Sequence, residues 1–552
     1  MARLNQNNIN IFSFLKKESD RPSLKIGILT VVSGISSTGV LAVVNMAAEN
    51  SDGDSVDVSS LLLFIVTVAI FIISQKFILV EGIVIIEEIL NKMRIRLTDK
   101  IRKTDLLNIE KIGNSKIYNR LTQESALISQ MAVHLITALQ SGVMLVFIFG
   151  YIAYLDVFVA ILLVVLLTIG VFIFQKNNKK VVSDLEEINK AELTFFNSLT
   201  NILDGLKEIK LNKKKDESVF LNYKRISSIV HDNRVSTGKS LSINTVFSQA
   251  FIYIVLGAIV FLLPQLTNSL PEDIVSTTTA MLFAIGPLGS LVSMLPTYEK
   301  INLSIRNIYD LEDELDKNLN QNEFYVNEGI NKLENFNEIV FNDLYFEYEK
   351  FENRESFSVG PINFSIKRGE IIFIVGGNGC GKTTLLKMIT LLYNNMKSGN
   401  VFVDDKIIDQ TNLLDFRELY SAIFYDFHLF DKLYGLNNVD PEVVNNLLKL
   451  MQIDHKTKFS GDSFSQLNLS TGQRKRLALI VAFLEEKQIY IFDEWAADQD
   501  PKFKDYFYET LLGKLKKEGK TVIAVSHDDR YFNKADRVIK MDFGKIEELK
   551  SN

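Results

Sequence analysis

Cysteine is almost absent from this 552-residue chain, where Cys380 stands alone. One thiol excludes a disulfide framework within the chain and suits a reducing or indifferent compartment. Proline is scarce as well, at eight residues, which excludes long Pro-rich linkers and favours long uninterrupted helices. Charged residues make up only 23% of the chain, against 47% hydrophobic residues and 38 Phe. That balance excludes a disordered chain. At roughly 150 residues per domain, the length suggests two to four units with ample core. An excess of basic charge is missing where nucleic acid would need it. Residues 1–310 carry 30 Lys+Arg and 27 Asp+Glu, and the remainder 31 and 40. A net-acidic second half argues against nucleic acid as a partner, because phosphate backbones are bound by basic surfaces.

The slightly basic first half is rich in apolar runs and points to a membrane. A helix needs about 20 apolar residues to cross a hydrocarbon core of about 30 Å. Six stretches approach or meet that length, near 24–47, 61–83, 131–154, 157–175, 244–263 and 271–296. The fourth, VFVAILLVVLLTIGVFIFQ, carries no charge between Asp156 and Lys176. Residues 87–125 and 176–240 are rich in Lys and Arg, whereas AENSDGDSVDVSS, the Leu155-Asp156 turn and PQLTNSLPED contain none. Basic loops favour the cytoplasmic side, so both termini and the two long loops are expected there, in the cell's inner membrane. Those loops lack Pro and keep apolar residues at helical spacing. They predict helices that run beyond the bilayer and turn back near Gly113 and Gly205, presenting a short surface to a soluble partner. The segment before the first span has no apolar core ahead of a cleavage site, so it reads as an amphipathic lead-in rather than a signal peptide. Inside the spans, Lys76, Glu81, His134, Asn45, Gln75, Gln140, Asn244 and Gln249 either line a polar cavity or bond between helices.

From residue 338 the pattern changes to short β-rich runs alternating with helices. IVFNDLYFEY, IIFIVG, IYIFDE and TVIAVS read as strands of an α/β domain over 338–552 with a mostly parallel sheet. A polar linker is expected over 311–337. Gly376-Gly377-Asn378-Gly379-Cys380-Gly381-Lys382-Thr383 fits GxxxxGK[ST] between a strand and a helix that opens with Thr383 and Thr384. Glycines let successive backbone N–H groups face phosphate oxygens, and the helix N-terminus adds partial positive charge. Lys382 would neutralise the β- and γ-phosphates, and Thr383 would offer its hydroxyl to Mg²⁺. Cys380 reads as a small filler. Asp493, at the end of an apolar strand, would hold Mg²⁺, and Glu494 would polarise the attacking water. Ser470, Thr471, Gly472 and Gln473 would start a helix and offer donors to a phosphate. His527, at a strand end, would bond the γ-phosphate.

These motifs in this order resemble the ATP-binding cassette transporters over essentially the whole chain: six spans, as in a type IV exporter, followed by one nucleotide-binding domain. The resemblance implies a half-transporter that hydrolyses ATP with Mg²⁺. It implies that Tyr348 stacks on adenine, that Asp500 lies in the nucleotide site, and that Ser470–Gln473 of one chain completes the site on the phosphate loop of a second, in a homodimer. Three places depart from the family pattern. Thr471 replaces a glycine, Trp495–Asp500 replaces an ATSALD-like run, and Phe424–Phe430 lacks the usual glutamine, leaving Asp426 as the candidate metal-linking residue. LSTGQRKRLAL, DEWAADQDP, YDFHLFDKL and SHDDRYF together look like the cyclic-peptide exporter branch, which moves peptide siderophores, lipopeptides and a lasso-type microcin. The expected function is export of such a peptide by alternating access. A lipid or lipopeptide flippase is the alternative, and a nucleotide-gated channel or membrane regulator the alternative of another class. The lone thiol disfavours a peptide-processing exporter.

Overall fold

A computed structural model describes residues 10–20, 24–49, 58–262, 271–317, 336–348, 356–436 and 438–549. The chain divides into two compact units, Met1–Asp99 with Asn114–Glu314, and Lys100–Gly113 with Leu315–Asn552.

The first unit is helical. A short helix α1 (Ile11–Glu18) opens on a capping box in which Asn10 and Ser13 bond reciprocally. The long helices are α2 (Leu24–Glu49), α3 (Val58–Lys103), α5 (Asn114–Leu155), α6 (Val157–Asp204), α8 (Lys213–Gly257, widening into a π turn to Leu262) and α9 (Pro271–Lys317). Of these, α2, α3, α5, α8 and α9 are long and apolar enough to cross a membrane, and the shorter apolar stretch Val157–Gly170 opens α6. At a rise of 1.5 Å per residue, the 46 residues of α3 extend about 69 Å, roughly twice a hydrocarbon core. The excess is the expected continuation beyond the bilayer. The last helix runs on to Lys317, into the stretch read as linker from 311; residues 318–335 of that stretch lie outside the described residues.

Close packing uses small residues at crossings. A Cβ on Gly34 would meet Phe147 at 2.7 Å, on Gly82 Ile136 at 2.5 Å, and on Gly170 Phe251 at 2.6 Å. A dry core gathers Leu41, Ile148, Leu163, Ile252 and Met281 from α2, α5, α6, α8 and α9. Among the polar span residues, Asn45 donates to the Tyr151 hydroxyl at 3.1 Å and to the Ser276 carbonyl at 3.3 Å. Gln140 donates to Ser33 Oγ at 2.7 Å. Asn244 is buried, whereas Lys76 and His134 are exposed. Asn45 and Gln140 therefore act as interhelical bonds, the blander of the two readings.

Arg96, one of the basic loop residues, is drawn inward instead of standing in water. Its guanidinium bonds Glu18 twice, at 2.7 and 3.0 Å, and Glu312 at 2.9 and 3.2 Å. Tyr309 donates its hydroxyl to Glu18 at 2.9 Å. Burial by itself would raise the Glu18 carboxyl, but Arg96 and Tyr309 outweigh it and hold the group below its usual value. A depressed carboxylate contributes stability above its unfolded pKa and loses it as pH falls through the folded one. Docking of α1 should thus be firm at neutral pH and loosen on acidification below the ordinary carboxylate range. Arg96→Met should lower the thermal midpoint, because it removes the guanidinium that two buried carboxylates share; thermal unfolding in detergent at pH 7 checks this.

Among its described residues the second unit carries ten strands, β1 (Glu338–Glu347), β2 (Ser358–Lys367), β3 (Ile371–Gly376), β4 (Ser398–Val403), β5 (Lys406–Ile407), β6 (Tyr420–Ile423), β7 (Ile489–Asp493), β8 (Thr521–Val525), β9 (Arg537–Asp542) and β10 (Lys545–Leu549). They form two sheets, in the orders β10-β9-β3-β8-β7-β6 and β2-β1-β4-β5. The first is parallel from β9 to β6, as expected. The second is antiparallel throughout and was not anticipated. Its strand β1 is the LYFEY run, whose alternating burial suits a sheet with one covered face.

Candidate functional site

In an open parallel sheet, ligands bind beyond the carboxyl ends of the strands. Strands β3, β8, β7 and β6 are consecutive neighbours. The segments that follow them are the glycine loop after β3, His527 after β8, Asp493-Glu494 closing β7, and Phe424–Phe430 after β6. Strand order alone therefore brings together four motifs that are up to 150 residues apart in sequence.

The glycine loop leads into helix α10 (Lys382–Ile389). Two positions need glycine sterically. Gly376 lies so close to β9 that a Cβ would meet the Met541 carbonyl oxygen at 2.3 Å, and Gly381, at φ +107°, caps α10 in a left-handed conformation. Cys380 is buried, as a filler should be. The Lys382 ammonium donates to the Gly376 and Gly377 carbonyls at 3.1 and 2.9 Å, so it lies inside the loop it follows. Thr383 donates its hydroxyl to Asp493 at 2.8 Å. Asp493 is buried; burial raises its carboxyl above the usual value, with the Thr383 hydroxyl, the Tyr425 amide and Lys382 pulling the other way. Glu494 accepts or shares a proton with His527 Nε2 at 3.0 Å. The two expected catalytic groups thus touch each other beside the pair Thr383–Asp493.

Tyr348 directly follows β1, and its hydroxyl lies 3.1 Å from that of Thr384 on α10. Its ring meets Phe346 edge-on at 4.9 Å, beside the glycine loop, where an adenine ring would need a face. After β6, the Tyr425 backbone helps to lower the Asp493 carboxyl, while the Asp426 side chain is exposed one residue further on.

Ser470–Gln473 starts helix α11 (Thr471–Leu484) with a capping box, Gln473 N–H to Ser470 Oγ at 3.4 Å and Ser470 N–H to Gln473 Oε1 at 3.1 Å. Ser470 and Thr471 are exposed. The segment is tied to the turn after β7 rather than to the glycine loop. Gln499 donates to the Gly472 carbonyl at 3.1 Å, and a Cβ on Gly472 would meet the Asp498 carbonyl oxygen at 2.6 Å. Asp500 caps the following turn by accepting from Phe503 N–H at 3.0 Å and pairs with Arg476 at 2.5 Å. These bonds, the Phe503 amide first, hold its carboxyl below the ordinary value. Among the described residues, then, Ser470–Gln473 and Asp500 bond to each other's segments, to Phe503 and to Arg476, and not to the glycine loop.

Sequence reading missed three groups. Lys475 was one of a basic run, yet it is buried and bonds the Glu494 carbonyl at 2.7 Å. Glu110 and Tyr393 drew no attention. Helix α4 (Leu106–Ile112) belongs to the second unit, and its Glu110 accepts from Lys387 at 2.9 Å and from the Tyr393 hydroxyl at 2.6 Å. Lys387 lies on α10, and Leu107 joins the core under Tyr393. The tip near Gly113 is thus wired to the helix that starts at Lys382. Only a pattern of long-range side-chain contacts could have revealed this.

The ABC transporter family model matches residues 359–497. The ATP-binding protein SyrD of Pseudomonas syringae pv. syringae is 30% identical over 534 residues, covering 94% of this chain and 92% of that protein. The subtilin transport ATP-binding protein SpaT of Bacillus subtilis is 25% identical over 81% of this chain and 75% of its own length. An ATP-dependent lipid A-core flippase of Haemophilus ducreyi is 24% identical over 80% of this chain and 77% of its own. The structure of a bacterial Atm1-family ABC exporter with ATP bound covers 97% of this chain, with 95% of that chain covered, at a TM-score of 0.77 and 14% identity, and shares the fold. With a phosphate loop, a carboxylate–histidine pair and membrane-length helices in one polypeptide, this chain belongs to the ABC transporters, as an exporter half-transporter that couples ATP hydrolysis to transport across a membrane.

Proposed function

We propose that this chain works as a homodimer in the inner membrane, with its nucleotide-binding domain and both termini cytoplasmic, and exports a peptide-type substrate by alternating access. The observation that carries the two-copy reading is the separation within one chain. Lys382, Thr383, Asp493, Glu494 and His527 cluster, while Ser470 and Thr471 are exposed and the Gly472 carbonyl accepts from Gln499 of the same chain. A second copy would supply the missing donors. Helix α7 (Leu206–Leu211), at the other tip, supports the same reading, since Leu211 is 89% exposed there. Each ATP would lie between one chain's glycine loop and its partner's capping segment. ATP held this way favours the closed pair by its differential affinity for that state.

Tyr348 would stack on the base. Lys382 would exchange its carbonyl partners for phosphate oxygens, and Glu494, oriented by His527, would take a proton from the attacking water. The protein offers Mg²⁺ only the Thr383 hydroxyl and the Asp493 carboxylate; among the described residues, no group of three or more His, Cys, Asp or Glu side chains is placed to hold a metal. That sparse oxygen set suits an ion that keeps waters and shares phosphate oxygens. Bound there, it would offset phosphate charge. Glu110, through Lys387 and Tyr393, would pass closure of the domain to α3 and α5. Tyr393→Phe should keep basal ATP hydrolysis and lose its stimulation by transported substrate, as read in lipid vesicles.

The peptide cargo rests on similarity to SpaT, whose name states subtilin transport, and on the four family-like stretches around the nucleotide site. Similarity to lipid A-core flippases over a comparable share of the chain favours lipid as the second reading. Purified protein in lipid vesicles, with ATPase and uptake measured against cyclic, lasso, linear and lipidated peptides and against lipid alone, separates them. Stimulation and uptake with peptides support export of peptides; stimulation by lipid alone overturns it.

A further inference from the structure

We propose that Lys475 is a positioning residue that ties the capping segment Ser470–Gln473 to the backbone of Glu494, so that nucleotide held at one ATP site sets the carboxylate of the other. The inference rests on the two-copy reading above. In that arrangement, Ser470–Gln473 of a chain serves one site and Glu494 of the same chain serves the other.

A lysine only 1% exposed is costly unless its charge is met. Its Nζ lies 2.7 Å from the Glu494 carbonyl oxygen and 2.7 Å from the Asp498 carboxylate, and 5.7 Å from the centre of the Tyr425 ring. These three partners sit on the segments after β7 and β6, neighbouring strands of which the first ends in Asp493. One ammonium therefore joins the groups that surround the reacting phosphate. Its own backbone is held as well, since the Trp495 indole N–H donates to the Lys475 carbonyl at 2.8 Å.

Two features turn this junction into a lever. Lys475 is five residues into α11 from Ser470, about 7.5 Å along a stiff rod, so a shift of the capped end is carried to Nζ. Glu494 has φ +51°, in the left-handed region that non-glycine residues rarely occupy without outside support. The bond from Lys475 to its carbonyl supplies that support. Pulling on α11 changes the very bond that holds Glu494 in position. The neighbouring Arg476 does a different task, clamping Gln499 and Asp500 without reaching Glu494.

Trp495 is the only tryptophan of the chain and lies in this junction, so its fluorescence reads it directly. Full-length protein in lipid vesicles is compared with Lys475→Met, which keeps length and loses the charge. A slowly hydrolysed ATP analogue and ATP are the probes. The expected result is a kcat lower by about tenfold or more, with KM and analogue binding within about twofold. The Hill coefficient for ATP should fall to about 1, and the Trp495 emission change expected of the parent on adding analogue should vanish. A kcat within about twofold of the parent, or an unchanged emission response, overturns the proposal. Should Lys475→Met fail to fold, Asp498→Asn decides, because it removes the charge partner from a half-exposed position. A smaller loss in the same direction supports the lever, and parental kcat and emission response overturn it. If Glu494→Gln protein with ATP stays monomeric, the two-copy reading itself fails. Lys475→Met would then lower kcat with an unchanged Hill coefficient, which overturns the cross-site part alone.

Discussion

Glu494→Gln is expected to bind ATP as tightly as the parent and to lose turnover by about 10²–10³-fold, the usual worth of a positioned general base. The substitution preserves size and leaves an amide oxygen 3.0 Å from His527 Nε2, so the pair keeps its geometry while the basic oxygen is lost. Nothing in the change touches the Lys382 ammonium or the Thr383–Asp493 bond, and binding should stay. The variant should accumulate as an ATP-bound dimer, visible by size-exclusion chromatography in detergent. Steady-state hydrolysis near the parental rate would refute the role given to Glu494.

Lys382→Ala is expected to fail earlier, at binding. Its ammonium is a buried charge held by two loop carbonyls, and charged hydrogen bonds contribute about 1.5–3 kcal/mol each. Losing those to phosphate should weaken ATP affinity by about 10- to 100-fold, and hydrolysis with it. The Gly376 and Gly377 carbonyls would also lose the group that draws them inward, which loosens the cradle. Equilibrium binding of a labelled nucleotide reads the effect. Affinity equal to the parent's would remove Lys382 from the phosphate site. Together the two variants separate binding from chemistry, since one should bind without turnover and the other should scarcely bind.

The glycine loop was legible because its residue types are dictated locally. Gly381 must be left-handed and Gly376 must admit the backbone of β9, and only glycine does both without strain. The apolar runs were legible because hydrocarbon thickness sets their length. Arg96 and Lys475 were not. Both looked like members of solvated basic runs, yet Arg96 pairs with buried carboxylates far along the chain and Lys475 is buried against the turn that follows β7. Asp426 shows the same limit on a smaller scale, since residue type singled it out after β6 and the fold leaves its side chain exposed. The antiparallel sheet escaped notice because β4 and β5 are short and β2 pairs irregularly, the register of β2 and β4 coming from β1 and that of β5 from β4.

Sequence by itself determined that this protein has membrane-length helices, a phosphate loop and a strand ending in two carboxylates, since each follows from short-range spacing that water, lipid and phosphate impose on any chain. Tertiary structure alone decided which of these touch. Strand order set β3, β8 and β7 side by side, buried charges chose partners hundreds of residues away, and the contact of Glu110 with Lys387 and Tyr393 joined α4 to the phosphate-binding helix. Such pairings depend on how faces meet in space, and the linear spacing of residues carries no term for that.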